Sequence, residues 1–126
     1  MIDALKVWQL GTASEIEGRI SGSDSSVIVV DMPPGPGPAL HRHPYAETFV
    51  VLEGRARFAI EGRDVEASAG SVVVAPPNAA YTFENPGPGR LLQVDIHASD
   101  RFITEWLVPE AERPPGAVAA PRERKT

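Results

Sequence analysis

Residues Gly35 to Gly54 read GPGPALHRHPYAETFVVLEG and contain two of the three histidines of the chain. These two histidines, His41 and His43, are separated by one residue, so on an extended backbone both imidazoles project from the same face. Glu47 comes later on the same face, but a straight strand at ~3.3 Å per residue would hold it about 13 Å from His43. The chain must therefore bend between them, and Pro44, which lacks an N–H and fixes φ, would interrupt a strand there.

Two imidazoles and one carboxylate form a donor set that transition metals accept. It is the facial triad used for Fe(II), and Mn, Co, Ni or Zn would accept it as well. His41, His43 and Glu47 are therefore candidate ligands of one divalent ion of unspecified identity. The chain has no cysteine, so thiolate ligands are excluded. The alternative is a solvated loop-to-strand segment in which this spacing arises by chance.

Two motifs in this region resemble those of the cupin superfamily, in particular its small single-domain members. The first is Gly35, five residues, His41-x-His43, three residues, Glu47, six residues and Gly54. The second starts at Gly70, reaches Pro76 after five residues and ends at Asn85. This resemblance implies a jelly-roll β-barrel that holds a metal ion, and the complete first motif is far more specific than an isolated pair of histidines.

Two positions of the second motif depart from the family pattern. Asn78 stands where a glycine is usual, a mild change because asparagine tolerates the left-handed conformation. Tyr81 stands where the fourth metal ligand, a histidine, is usual. A phenol is a poor ligand for a divalent ion, although it can bind ferric iron. We interpret Tyr81 as a catalytic residue that orients or protonates substrate, and Glu47 as a ligand that can also act as a base.

The third histidine, His97, has two possible placements. Leu92, Val94 and Ile96 form one face of its strand, so alternation puts Gln93, Asp95 and His97 on the other. If the apolar face fills the barrel, His97 is a surface residue, and this is the placement we expect. In the inverted arrangement, Gln93 and His97 line the pocket, and His97 could replace the missing fourth ligand.

The composition indicates one globular domain. The chain has 126 residues, a mass of 13.5 kDa and a net charge of -5, and its basic residues are dispersed, which argues against nucleic acid as a partner. A small molecule is the expected partner. The N-terminal segment has no secretion-signal pattern and no apolar run reaches the length of a membrane span, so we expect no membrane contact and a cytoplasmic location.

Short extended runs separated by glycine and proline turns predict an all-β fold. We place strands at residues 5–10, 15–21, 27–32, 48–52, 55–60, 63–67, 71–75, 81–84 and 90–98. In the fifth of these, Ala56, Phe58 and Ile60 should face the core. Such a series is typical of a β-sandwich or barrel, and the cupin resemblance implies the jelly roll in particular.

The C-terminal part is predicted to contain a short helix and a tail. Phe102, Ile103, Trp106 and Leu107 lie at helical spacing within residues 100–107, and Pro109 would end the helix. The barrel domain with this helix spans residues 1–108, and residues 109–126 form a charged, Pro-rich tail. Because the helix face and Trp8 offer apolar surface, we expect a homodimer.

Two functions are compatible with these features. The first is a small metal-dependent enzyme, of the dioxygenase, isomerase or cyclase type, acting on an organic substrate that chelates the ion through oxygen atoms. The second is a non-catalytic sensor or carrier in which the ion anchors a ligand. Because cupins serve many reactions, the fold does not decide between them. A spare acid or base beside open metal positions would favour the enzyme.

Overall fold

The structure is a computed structural model that describes residues 5–113 and 120–124. These ranges contain thirteen strands, one short α-helix and two 3-10 turns, at Gly11–Ala13 and Glu110–Glu112. In chain order the elements are β1 (Val7–Gln9), β2 (Glu15–Ile16), α1 (Gly18–Ser21), β3 (Ser26–Met32), β4 (Gly35–Pro36), β5 (His41–Arg42), β6 (Glu47–Glu53), β7 (Arg55–Ile60), β8 (Arg63–Ser68), β9 (Val72–Ala75), β10 (Tyr81–Asn85), β11 (Leu91–His97), β12 (Glu105–Trp106) and β13 (Arg122–Arg124).

Two antiparallel sheets build the barrel. One has the order β12-β5-β10-β7-β8, with β4 also paired to β10, and the other has the order β2-β3-β11-β6-β9. A separate two-stranded sheet joins β1 to β13. The predicted all-β fold is therefore confirmed. Among the described residues, no helix is long and apolar enough to cross a membrane.

The core lies between the inner faces of the two main sheets. Phe49 of β6 and Phe58 of β7 are fully buried, and their ring centroids are 4.8 Å apart, so they join the sheets at the centre. Ala56, Phe58 and Ile60 all face this core, as predicted. Burial of such aromatic rings contributes most of the favourable free energy of folding.

Two turn positions explain features of the sequence motifs. Gly54 has φ 78°, and a Cβ atom there would lie 2.2 Å from the carbonyl oxygen of Arg90, so only glycine fits this turn. Asn78 has φ 67°, the left-handed conformation that the replaced glycine would supply. The substitution at position 78 therefore preserves the turn.

The predicted strand at residues 15–21 is shorter than expected. Only Glu15–Ile16 forms a strand, and Gly18–Ser21 forms a helical turn that ends at Gly22, where φ is 93°. The N–H of Gly18 donates a hydrogen bond to Oγ of Ser26, at 3.0 Å, which holds the turn against β3. Gly18 permits this turn because it has no Cβ atom, which would lie 2.1 Å from the carbonyl oxygen of Ser23.

The helix predicted at residues 100–107 is wrong. Glu105–Trp106 forms β12, which pairs with β5 at the edge of the first sheet, and the preceding residues are irregular. An isolated eight-residue helix has little stability of its own, whereas pairing with an edge strand gives the backbone N–H and C=O groups hydrogen bonds. Phe102, Thr104 and Trp106 line a pocket instead, at the two-residue period of extended chain.

Part of the predicted tail has defined structure. Arg122–Arg124 pairs with Val7–Gln9, so this segment returns to the N-terminal strand. Residues 114–119, which belong to the same predicted tail, lie outside the described ranges.

Candidate metal centre

The three residues predicted as ligands converge from both sheets. His41 lies in β5 and His43 directly after it, whereas Glu47 begins β6 in the opposite sheet. The chain therefore changes sheets between these residues, at the bend predicted around Pro44. All three side chains are buried, and each offers a donor atom within 4.8 Å of the others. Arg42, between the two histidines, points away and donates to Glu105 at 2.6 Å.

The backbone fixes the tautomers of His41 and His43. Nδ1 of His41 lies 2.7 Å from the carbonyl oxygen of Ala39, and Nδ1 of His43 lies 2.7 Å from that of Ile103. A carbonyl oxygen only accepts, so each Nδ1 carries the proton and donates. Each Nε2 of a neutral ring therefore presents a lone pair to the interior, which is the arrangement found in metal-binding histidines.

The contact between His43 and Glu47 requires a cation. Nε2 of His43 lies 3.2 Å from Oε1 of Glu47, so a lone pair faces a carboxylate oxygen. Two such atoms repel unless a second proton on the ring or a metal ion lies between them. The residues present therefore fit a bound transition metal, and the nitrogen and oxygen donors suit Mn, Fe, Co, Ni or Zn.

Glu47 is held in its ionised form. Burial opposes ionisation, but the surrounding His43, His97 and Tyr81 side chains outweigh it and lower the pKa of Glu47 to about 2. Burial also lowers the pKa of His41, which favours the neutral ring that a metal needs.

Tyr81 contacts the centre through Glu47. The hydroxyl of Tyr81 donates a hydrogen bond to Oε1 of Glu47 and lies 3.5 Å from Nε2 of His43. Burial, followed by the negative charge of Glu47, raises the pKa of Tyr81, so the side chain stays a neutral phenol. This arrangement is consistent with a donor beside the metal rather than a ligand.

His97 is not the surface residue that we expected. It is 3% exposed, and Nε2 lies 3.2 Å from Oε2 of Glu47, its direct partner between β11 and β6. Nδ1 lies 2.6 Å from the hydroxyl of Tyr45. The inverted arrangement therefore holds, and Gln93, Asp95 and His97 all face the interior. His97 is not a member of the cluster formed by the three predicted ligands.

Asp95 is a second carboxyl group inside the barrel. It is 3% exposed, and its Oδ1 accepts a hydrogen bond from Nε2 of Gln93 at 2.8 Å. Burial, followed by the charge of Glu47, raises the pKa of Asp95 well above its usual range. Such a group keeps its proton at pH values where an ordinary aspartate has lost it, so it can act as an acid or a base.

One pocket contains all of these groups. Its volume is about 320 Å³, and its polar wall includes the ligand triad, Tyr81, Asp95 and His97. Ile28, Val30, Phe83, Phe102 and Trp106 form an apolar wall. The pocket is therefore suited to a compact, mainly planar or apolar molecule with a few polar atoms directed at the metal position.

Sequence reasoning missed Tyr45 and Asp95 as site residues, and it placed His97 in the pocket only as the less expected of two arrangements. Tyr45 is placed by a loop, and its contact with His97 joins residues far apart in the chain, so no local pattern could reveal it. For β11, the signal that was available is the run of three polar residues at alternate positions.

Residues 28–97, more than half of the chain, match the family profile of the cupin domain. The chain belongs to the cupin family. The matched range contains His41, His43 and Glu47, the cluster that could hold a metal ion.

Solved structures similar to this cupin show the same fold. A variant of Bacillus subtilis oxalate decarboxylase superimposes with a TM-score of 0.67 at 23% identity, covering 77% of this chain and 29% of the other. The formate complex of Lactobacillus farciminis oxalate decarboxylase gives 0.66 at 23% identity, with coverages of 74% and 30%. A conserved protein from Klebsiella pneumoniae with a double-stranded β-helix domain gives 0.65 at 24% identity, with coverages of 84% and 82%.

A curated relative is much longer than this cupin. Mannose-1-phosphate guanylyltransferase 2 of Escherichia coli O157:H7 is 27% identical over 93 residues, which is 73% of this chain and 19% of the relative. This cupin thus spans about a fifth of that relative and less than a third of the oxalate decarboxylases. The shared segment corresponds to the cupin fold.

Proposed function

We propose that this cupin is a metal-dependent enzyme that acts on a small organic acid chelating the ion through oxygen atoms. The observation that carries the proposal is Asp95, a buried carboxyl group that lines the same pocket as His41, His43 and Glu47 without belonging to that cluster. A site that only anchors a ligand needs no spare acid or base. Asp95 supplies one.

The proposed cofactor is one divalent transition metal ion held by His41, His43 and Glu47. When bound, it supplies Lewis acidity and open coordination positions for substrate oxygens. Mn(II) is the first ion to test, because a structurally similar protein, Bacillus subtilis oxalate decarboxylase, has Mn(II) centres. Fe, Ni, Co and Zn fit the same donor set.

The pocket supports a compact anionic substrate. Its volume of about 320 Å³ admits a small molecule, and Phe102 and Trp106 form part of its apolar wall. The charge of Glu47 repels a substrate carboxylate, so binding of that carboxylate needs the positive charge of the metal ion. Substrates with two adjacent oxygen donors should bind such a centre most tightly, because both oxygens can coordinate the ion.

Three residues have proposed roles in the reaction. Glu47 is both ligand and base, and Tyr81, which donates to Glu47, orients or protonates the substrate. Asp95 lies on β11 in the second sheet, whereas Tyr81 lies on β10 in the first. Gln93 holds one of the Asp95 oxygens at 2.8 Å. Asp95 transfers a proton to or from the substrate from that side.

A substrate screen with matched variants tests this proposal. Protein loaded with Mn(II) or Fe(II) is incubated with small hydroxy, keto and dicarboxylic acids, and turnover is compared between wild type, Asp95→Asn and the exposed control Asp24→Asn. We expect Asp95→Asn to keep its metal and lose turnover, with Asp24→Asn unchanged. One-to-one binding of these acids without turnover in the wild type would favour the sensor or carrier function.

We also propose that this cupin forms a homodimer, through the outer face of the second sheet rather than through a C-terminal helix. Apolar residues from four adjacent strands share this face: Val27, Val29, Val50, Leu52, Val72, Val74, Leu92, Val94 and Ile96. Leu52, Val72 and Val74 are more than half exposed. A continuous apolar face with few charges is self-complementary, since two copies can meet without like-charge repulsion.

A further inference from the structure

His97 has a buried ring nitrogen that nothing in the described residues satisfies. Its side chain is 3% exposed, lines the pocket and has no hydrogen-bond partner for Nε2. Oε2 of Glu47 is near, at 3.2 Å, but not in a direction that makes a hydrogen bond. A buried polar atom without a partner costs about 1–3 kcal/mol, so a bound molecule that satisfied it would recover that cost.

The hydrogen bonds around Ile103 determine which nitrogen of His97 carries the proton. The carbonyl oxygen of Ile103 accepts from Nδ1 of His43 at 2.7 Å, and the N–H of Ile103 donates to the hydroxyl oxygen of Tyr45 at 3.2 Å. Tyr45 must direct its own proton elsewhere. Nδ1 of His43 lies 3.3 Å away, but it already carries a proton, so within residues 5–113 and 120–124 the hydrogen-bond partner left to accept is Nδ1 of His97, at 2.6 Å.

Ile103 therefore holds His43 and His97 as opposite tautomers. Its carbonyl oxygen accepts from His43 directly, and its N–H acts on His97 through Tyr45. His43 has its proton on Nδ1 and a lone pair on Nε2, whereas neutral His97 accepts at Nδ1 and has its proton on Nε2. The phenol of Tyr45 keeps its proton at physiological pH and can therefore donate it to this nitrogen. A ring with Nε2–H has no lone pair there to give to a metal.

From this network we infer that His97 does not replace the missing fourth ligand but presents Nε2–H to an anionic oxygen of the substrate. This inference rests on the proposed metal site. The metal would hold the substrate from the side of His41 and His43, and His97 would donate to it from β11. Tyr45 is a positioning residue, since it acts only through the tautomer of His97. Tyr45 and His97 together favour ligands that place an acceptor oxygen at Nε2 of His97, and they disfavour hydrogen-bond donors such as amines.

The first experiment reads the tautomers directly. Long-range ¹H–¹⁵N spectra of histidine-labelled protein, metal-free and loaded with diamagnetic Zn(II), distinguish Nδ1–H from Nε2–H rings. We expect His97 as Nε2–H in wild type, opposite to His41 and His43 in the Zn(II) form, and loss of this preference in Tyr45→Phe. A wild-type His97 with its proton on Nδ1 would overturn the inference.

The second experiment separates a donor from a ligand. Mn(II) stoichiometry and the affinity for oxalate, used as a small chelating probe, are measured for wild type, His97→Gln, His97→Leu and the matched ligand variant His43→Leu. We expect both His97 variants to keep Mn(II) near the wild-type ratio while His43→Leu loses it. Loss of one charge-assisted hydrogen bond should weaken oxalate binding about 10- to 100-fold in His97→Leu.

The possible results distinguish this inference from the proposed function. If His97→Gln and His97→Leu fold, by circular dichroism, but lose Mn(II) as His43→Leu does, His97 is a ligand and the inference is wrong. Unchanged oxalate affinity in His97→Leu also overturns it. If the wild type binds neither Mn(II) nor any other transition metal, the proposed function fails, and the tautomer spectra of the metal-free protein still test the network.

Discussion

His97 lies directly opposite Glu47 in the antiparallel ladder between β11 and β6, and the two side chains enter the same cavity. Residues opposite each other in a ladder share a face, so this register places His97 and Asp95 on the interior side of the sheet. A shift of one residue would move both to the outer face and bring Val94 and Ile96 inside. The chemistry of the pocket therefore depends on the register of this strand pair.

The metal site leads to a first prediction. His41→Ala and Glu47→Ala should each reduce the metal content from about one ion per chain to near zero, because each removes one of the three clustered donors. Elemental analysis of purified protein measures the ratio. Glu105→Ala is the control, because it removes an exposed carboxylate that pairs with Arg42. Unchanged metal content in both ligand variants would contradict a site at this position.

Asp95 leads to a prediction about pH. Its folded-state pKa is raised above the ordinary value near 3.8, so the folded protein binds this proton more tightly than the unfolded chain. The group therefore favours folding most at low pH, and this contribution is lost as the pH rises through the folded pKa. Once ionised, Asp95 is a buried charge with one hydrogen bond from Gln93.

Asp95→Asn should consequently raise the free energy of unfolding of the metal-free protein at pH 7 more than at pH 4. Urea denaturation at both values measures the difference, with exposed Asp24→Asn as the control. A change in stability that is the same at both pH values would show that Asp95 does not titrate abnormally.

The local motifs predicted the clustering of the three candidate ligands well, because their constraints are local. The spacing of His41 and His43 fixes their common face, and the turn at Gly54 admits only glycine. The inward face of β7 was also predictable, since its neighbours Arg55 and Arg57 are charged. In each case the competing arrangement would bury a charge or strain the backbone.

The placement of β11 and of the C-terminal segment could not be read in the same way. Leu92, Val94 and Ile96 are more apolar than the alternate residues, yet they lie on the outer face, beside Val29 and Val50. The usual rule that the more apolar face of a strand points inward is reversed here, because the inner face of β11 lines a polar pocket. Within residues 100–107, pairing of Glu105–Trp106 with the edge strand β5 is more stable than a short helix. The sequence of the segment does not indicate that this edge is available.

The proposed dimer gives a third prediction. Val74→Glu places a charge on the exposed outer face of the second sheet, where the side chain is 53% exposed, so it should separate the subunits without disturbing the core. Light scattering at micromolar concentration should change from dimer to monomer. The control, Ile20→Glu, changes an exposed apolar residue of α1. A monomeric wild type, or a Val74→Glu variant that remains dimeric, would contradict an interface on this face.

Tyr81 gives the last prediction, because it stands where a fourth ligand is usual but donates to Glu47. Tyr81→Phe should retain the ion and lose this hydrogen bond. The expected cost is about 1.5–3 kcal/mol in unfolding free energy for a bond to a charged acceptor, or about 0.5–1.5 kcal/mol if the acceptor is effectively neutral. Urea denaturation and elemental analysis of the same preparations give both quantities.

Tyr81→His is the matched substitution, because it should add a fourth ligand and narrow the open side of the centre. Oxalate binding to the Mn(II) form should then weaken relative to wild type, while metal affinity rises. The visible spectrum of the iron-loaded protein provides the decisive check. A phenolate bound directly to ferric iron would give a charge-transfer colour. If the wild type shows this colour and Tyr81→Phe abolishes it, Tyr81 is a ligand, and its assignment as a donor beside the metal is wrong.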